Sequence, residues 1–349
     1  MIKTETVVSN ELTGSAGAAL CGSSPKTAAS STSALRPMTG FIHQAIYYPL
    51  GFPLRVVSNS ARILDAAEES WSCFKPMFQS EPLELQIGVK KNRGLDELLP
   101  PEPVDSLIGN LLVNSADADN FFVVNLAKGR TIGWVTEAAA RSQLYLRYFY
   151  LEAAALAMIS TLRAVPVHGA CVLVRNAGIL LCGDSGVGKS TLAYAGARSG
   201  WTYLSDDASY VLLDSEDSTV VGNCHKIRFR PSATELFPEV EGRPVTPRAF
   251  GKPSIEVRMS EWPEICTTPV ATVSQIIFLN RTNAQQELVS LSPSEVTPWF
   301  MRHVLPTTSL RSTPEATLSR LLKSTIHELR YCDLTWAIER INQLAEQGR

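Results

Sequence analysis

Eight consecutive residues, Gly183-Asp-Ser-Gly-Val-Gly-Lys-Ser190, have the types and spacing of a phosphate cradle. They fit the pattern G-x-x-x-x-G-K-[ST], in which backbone N–H groups converge on one point and favour an anion there. Gly183, Asp184, Ser185, Gly186, Val187, Gly188, Lys189 and Ser190, with Thr191 just beyond, are therefore the candidate nucleotide-binding residues. Lys189 can reach the β- and γ-phosphates, and the Ser190 hydroxyl can hold Mg2+. Three further features could serve the same centre. In Asp206-Asp207, one carboxylate can bind the metal directly or through water, and the other can take a proton from an attacking hydroxyl. His168 can stabilise charge or position an acid–base carboxylate. Alternation along Lys226-Ile-Arg-Phe-Arg230 puts Lys226, Arg228 and Arg230 on one strand face, where an arginine could grip phosphate or an acidic substrate. Lys252 is a similar candidate.

The elements needed to position these groups are legible nearby. Ala177–Cys182 reads as a buried strand entering the loop, and Thr191–Arg198 as the helix leaving it, stopped by Gly200. Trp201–Ser205 reads as a strand ending at Asp206-Asp207, and ligands of open α/β sheets sit beyond the carboxyl ends of strands. Val167–Val174 is expected as one strand carrying His168, after a long helix from Glu137 to Leu162 that Pro166 ends. Tyr210–Leu213 and Ser218–Val221 suggest a hairpin, Ile276–Leu279 a buried strand, and Leu334–Ala345 an amphipathic helix. Upstream, residues 1–38 are rich in Ser, Thr, Ala and Gly and are expected to be a disordered tail. Residues 39–135, with strand patterns at Leu54–Val57, Leu83–Val89 and Phe121–Val124, are expected to form an α+β region. Residues 136–349 are left as the catalytic part.

Composition narrows the classes. With 45% hydrophobic and 19% charged residues, the 349-residue chain has an ordinary globular balance. A net charge of −2 supplies no field that would draw nucleic acid or an anionic membrane. No apolar run approaches the roughly 18 residues of a membrane span. The seven cysteines include no Cys-x-x-Cys pair, which points to a reducing, cytoplasmic setting rather than a disulfide framework or zinc site.

Taken together, His168-Gly169, Gly-Asp-Ser-Gly-Val-Gly-Lys-Ser at 183–190 and Asp206-Asp207 resemble the C-terminal catalytic domain of the HPr kinase/phosphorylase family. Spacing matches as well as identity: His168 lies 21 residues before Lys189, and Asp207 lies 18 after it. The resemblance covers about residues 160–260. It implies an α/β P-loop kinase core related to that of phosphoenolpyruvate carboxykinase, with ATP and Mg2+ as cofactors. It also implies that Asp207 accepts the proton of a substrate hydroxyl, that His168 and Asp206 assist, and that Ser190 and Asp206 serve the metal. The chain departs from the bifunctional enzymes in two places. Ile227-Arg-Phe-Arg-Pro231 stands where they carry a metal-binding Glu, the nearest downstream carboxylate being Glu235, and Thr191 stands where they usually have Glu. These departures suit divergent relatives without phosphorylase activity, some of which phosphorylate serine on peptides. The expected partner is a serine-bearing peptide or protein, with a homo-oligomer also implied. A small-molecule kinase and a non-catalytic ATP-binding switch or scaffold are the alternatives.

Overall fold

The computed structural model describes residues 40–90, 98–246, 254–282, 285–303 and 314–347. Lys252 and the tail expected over 1–38 lie outside the described residues. The first sheet contains β1 (His43–Tyr47), β2 (Leu54–Ser58), β3 (Leu83–Lys90), β4 (Val104–Ile108), β5 (Leu111–Ser115), β6 (Phe121–Asn125) and β7 (Arg130–Thr136). Their order is β1-β2-β3-β7-β6-β5-β4. Between the parallel strands β2 and β3 runs α1 (Ala61–Trp71), which buries Ile63, Ala66, Ala67 and Trp71.

The long helix expected over 137–162 is broken. It consists of α2 (Glu137–Arg141), α3 (Gln143–Leu146), a π-helical stretch (Arg147–Glu152) and α4 (Ala153–Leu162). Ser142 interrupts it with φ −89° and ψ 96°, a single extended residue that apolar periodicity does not register. In the π-helical stretch Arg147 to Leu151 are all buried. Phe122 and Val124 of β6 face this helical layer, and Tyr150, Leu151, Met158 and Ile159 share one core cluster with them. Tyr210 and Val221, which belong to the next sheet, complete that cluster.

The second half continues with β8 (Ala164–Val167), β9 (Ala170–Val174), β10 (Ala177–Cys182), α5 (Lys189–Arg198), β11 (Thr202–Ser205), β12 (Ser209–Leu212) and β13 (Thr219–Gly222). A small antiparallel sheet follows, made of β14 (Lys226–Phe229), β15 (Val245–Thr246) and β16 (Ser254–Arg258). The chain then returns through β17 (Val270–Arg281), β18 (Glu287–Ser290), α6 (Pro293–His303), α7 (Pro314–Leu321), β19 (Thr325–Tyr331) and α8 (Leu334–Gln347). The single strand expected over 167–174 is two strands. His168-Gly169 separates β8, which pairs with β12, from β9, which pairs with β10 and β11. The expected hairpin is β12–β13.

Strand direction sets up the site. β10, β17 and β19 are mutually parallel, and β9 runs antiparallel to both β10 and β11. The carboxyl ends of β10, β11, β17 and β19 therefore share one edge with the start of β9. That edge collects His168, the glycine loop, Asp206-Asp207, Arg281 and Tyr331. Among the described residues, no helix is long and apolar enough to cross a membrane.

Candidate active site

The loop between β10 and α5 turns on glycines in the left-handed region: Gly183 at φ 134°, Gly186 at 95° and Gly188 at 103°. Side chains would strain all three positions. A Cβ at Gly188 would also stand 2.9 Å from the Tyr331 hydroxyl, which donates to the Val187 carbonyl at 3.2 Å and braces the loop from β19. Gly188 is the N-cap of α5, so the helix's first N–H groups and the positive end of its dipole face the loop. Ser185 is exposed on the loop and Thr191 half-buried in the first helical turn.

Lys189 is only 6% exposed, and its ammonium has a partner for each of its protons. Nζ donates to the Gly183 carbonyl at 2.7 Å, to the Asp184 carbonyl at 3.1 Å and to His168 Nε2 at 3.0 Å. Burial pulls the Lys189 pKa below its ordinary value, against the nearby Asp207 and Asp184 charges. For His168 Nε2 to accept, the ring proton must sit on Nδ1, which donates to the Asp207 carbonyl at 3.1 Å. Nδ1 is also 3.6 Å from Asp207 Oδ1. Burial, and then the Lys189 charge, holds the His168 pKa below its usual 6.5, so the ring is neutral at pH 7.

The paired aspartates face different ways. Asp206 is 8% exposed and turns its carboxylate inward, Oδ1 accepting from Tyr203 Oη at 3.2 Å and Oδ2 from the Arg228 N–H at 2.9 Å. Burial, reinforced by Asp206, raises the Tyr203 pKa well above its ordinary value, which keeps that phenol a donor. It is the Asp206 carbonyl, not its carboxylate, that receives the Ser190 hydroxyl, at 3.2 Å. The Asp207 side chain is 40% exposed beside His168.

The basic strand does not present its cations to the loop. Lys226 Nζ lies 3.1 Å from Glu256 Oε1, and Arg228 reaches Glu256 Oε2 at 2.7 Å. The Arg228 guanidinium is thus held by a carboxylate while its main-chain N–H steadies Asp206. Arg230 is exposed just past β14, and Glu235 is exposed on a short 3-10 turn. The carboxylate that faces this strand is instead Glu256, the cross-strand partner of Arg228 in β16. Spacing within the 227–231 stretch cannot reveal it, because it lies 28 residues away in sequence.

A second contribution comes from α6. Trp299 Nε1 donates to Asp184 Oδ1 at 3.1 Å, and His303 Nε2 lies 3.6 Å from the same oxygen. The two rings stack with centroids 4.1 Å apart. No motif marks them, although their i, i+4 spacing on a helix is the signal that would pair them.

Among the described residues, no group of three or more His, Cys, Asp or Glu side chains is placed to hold a metal ion. The donor set here suits a different kind of site. Mg2+ on a nucleotide takes most of its ligands from phosphate and water, with one hydroxyl and one carboxylate from protein. Ser190 offers such a hydroxyl at the loop, whereas the Asp206 carboxylate is engaged by Tyr203 and the Arg228 N–H.

Residues 160–231 match the family model described as the HPr Serine kinase C-terminal domain. The match takes in His168, the loop, both aspartates, Arg228 and Arg230, and over this segment the chain is HPr-kinase-like. No curated protein matches the chain. Among solved structures, the Hpr(Ser) kinase/phosphatase from Coxiella burnetii is similar at 11% identity, over 52% of this chain and 98% of that one, with a TM-score of 0.29.

Proposed function

We propose, from an HPr-kinase-like segment with this geometry, that the chain is an ATP- and Mg2+-dependent kinase acting on a serine hydroxyl of a peptide or protein, without phosphorylase activity. The observation that carries the reading is the contact of Lys189 with His168, beside Asp207, at the glycine loop. Loop amides and the α5 N-terminus would take the β- and γ-phosphates. Lys189 would exchange a loop carbonyl for a phosphate oxygen. Asp207 would accept the proton as the serine Oγ attacks phosphorus. The new P–O bond forms as the bond to the bridging oxygen breaks, and ADP leaves. Neutral His168 would hold the Asp207 main chain in place. Magnesium, when bound, would neutralise charge on the phosphate oxygens; Ser190 would hold it, joined by Asp206 once its carboxylate turns from Tyr203 and the Arg228 N–H. In this reading residues 136–349 form the catalytic domain and 39–135 support it.

A nucleotide-binding switch is the second reading, favoured by Glu256, which engages both Lys226 and Arg228 and leaves neither cation free for an acidic acceptor. ATP turnover and transfer to serine peptides and small hydroxyl compounds separate the readings when wild type is compared with Asp207→Asn. The expected outcome is a loss of transfer of about a hundredfold to ten-thousandfold with nucleotide affinity kept. Equal transfer by both proteins would remove Asp207 from its role. Nucleotide binding with no transfer to any acceptor would leave the switch, and transfer to small compounds alone would make the acceptor a metabolite.

A further inference from the structure

The cradle has a second flank. His168 and Asp207 approach it from the β9–β11 side. On the other side β17 lies next to β10 and runs parallel to it, with Leu279 packed against Gly183, so the last residues of β17 reach the level of the loop. The final residue of that strand is Arg281. A Cβ at Gly188 would stand 3.6 Å from Arg281 Cδ, so the absence of a side chain at Gly188 lets the arginine stem pass close to the loop backbone.

Arg281 differs from its neighbours in what it holds. Arg330, its neighbour on β19 one position before the cross-strand partner Tyr331, is engaged by Glu287 and Glu328. Arg228 is engaged by Glu256, and Arg147 by Ser70, Glu69 and Glu152. Arg281 is exposed, and its guanidinium has no hydrogen bond or ion pair with any described residue. A guanidinium with no partner among the described residues, on a stem that passes the loop, adds positive charge near the point where the backbone already favours an anion. Its planar fork matches two phosphate oxygens at once.

We infer that Arg281 is a ligand of the nucleotide's phosphates, closing the cradle from the flank opposite His168. This rests on the nucleotide-binding reading given above. The contact to phosphate is charge-assisted and is made from an exposed position, so its loss should change affinity without unfolding the protein.

The test is the dissociation constant of Mg·ATP, ADP and AMP, by titration calorimetry on the full chain, for wild type, Arg281→Ala, Arg281→Lys and Lys189→Ala. Arg281→Ala is expected to weaken ATP binding at least about tenfold, with an unchanged melting temperature. Arg281→Lys should recover part of the loss, because a point charge remains without the fork. The ADP and AMP series then identifies which phosphate is gripped, the loss disappearing once that phosphate is absent. ATP affinity within twofold of wild type in Arg281→Ala, with Lys189→Ala clearly weakened, overturns this inference and leaves the kinase reading standing. A wild-type protein that binds no nucleotide overturns both.

Discussion

At the scale of single residues, the centre is organised by one proton inventory. Lys189 has three N–H groups and three acceptors, and one of those acceptors exists only while His168 is neutral. Protonating His168 would set a second N–H against the ammonium and disrupt the placement of Asp207. The folded-state pKa lies below the ordinary 6.5, so the unfolded chain binds the extra proton first as pH falls. The stability this histidine contributes is therefore complete above about 6.5 and declines as pH drops toward the lower folded value. Phosphoryl transfer should show the same limb, with kcat/KM falling on the acid side at an apparent pKa under 6.5. His168→Gln, which keeps an acceptor without the titration, should flatten that limb while lowering the plateau. A limb that persists unchanged in the Gln variant would assign it to another group.

At the scale of elements, the Glu256 network ties the small sheet to the helical layer. Tyr148, in the π-helical stretch, donates to Glu256 Oε2 at 2.9 Å, with the Arg228 guanidinium carbon 5.3 Å from its ring centroid. Burial alone would raise the Glu256 pKa; Lys226 and then Arg228 overcome it and hold the value at about 2. Glu256→Gln should therefore destabilise the protein by about 3–5 kcal/mol at neutral pH, because two cations lose their buried counter-charge. Urea unfolding would show it, and the gap from wild type should narrow as pH falls from the ordinary 4.5 toward 2. Coincident urea midpoints at pH 7 would make the network dispensable. This element also marks where the sequence stops being informative. The loop, its strand and its helix are local and were legible, because the glycines, Lys189 and Ser190 act within eight residues. Glu256 was not, since only the β14–β16 register brings it to Arg228. Nor was α1, whose buried face mixes Ile63 and Trp71 with the small residues Ala66, Ala67 and Ser70, or the break at Ser142, where one residue leaves helical geometry inside an otherwise periodic run.

At the scale of the molecule, the boundary expected at 135/136 falls inside a shared core. Leu54, Leu85, Phe122 and Val124 from the first sheet pack in one cluster with Tyr150, Met158 and Ile159, and with Tyr210 and Val221 of the second sheet. A core shared in this way should make the two parts unfold together. Calorimetry of the full chain should give a single cooperative transition with equal calorimetric and van't Hoff enthalpies. Two resolved transitions would show that residues 39–135 melt alone. The same continuity gives a region with no recognisable chemistry a structural part: it covers α4 and the side of the second sheet that carries Tyr210 and Val221.

The indole that donates to Asp184 has one more consequence. Trp299 is joined directly to the second residue of the phosphate loop, and its ring lies flat against an imidazole. Any rearrangement of Asp184 as an anion settles must alter the polarity and quenching felt by that chromophore. The protein thus carries an intrinsic optical reporter wired to its own loop, readable in emission without a label.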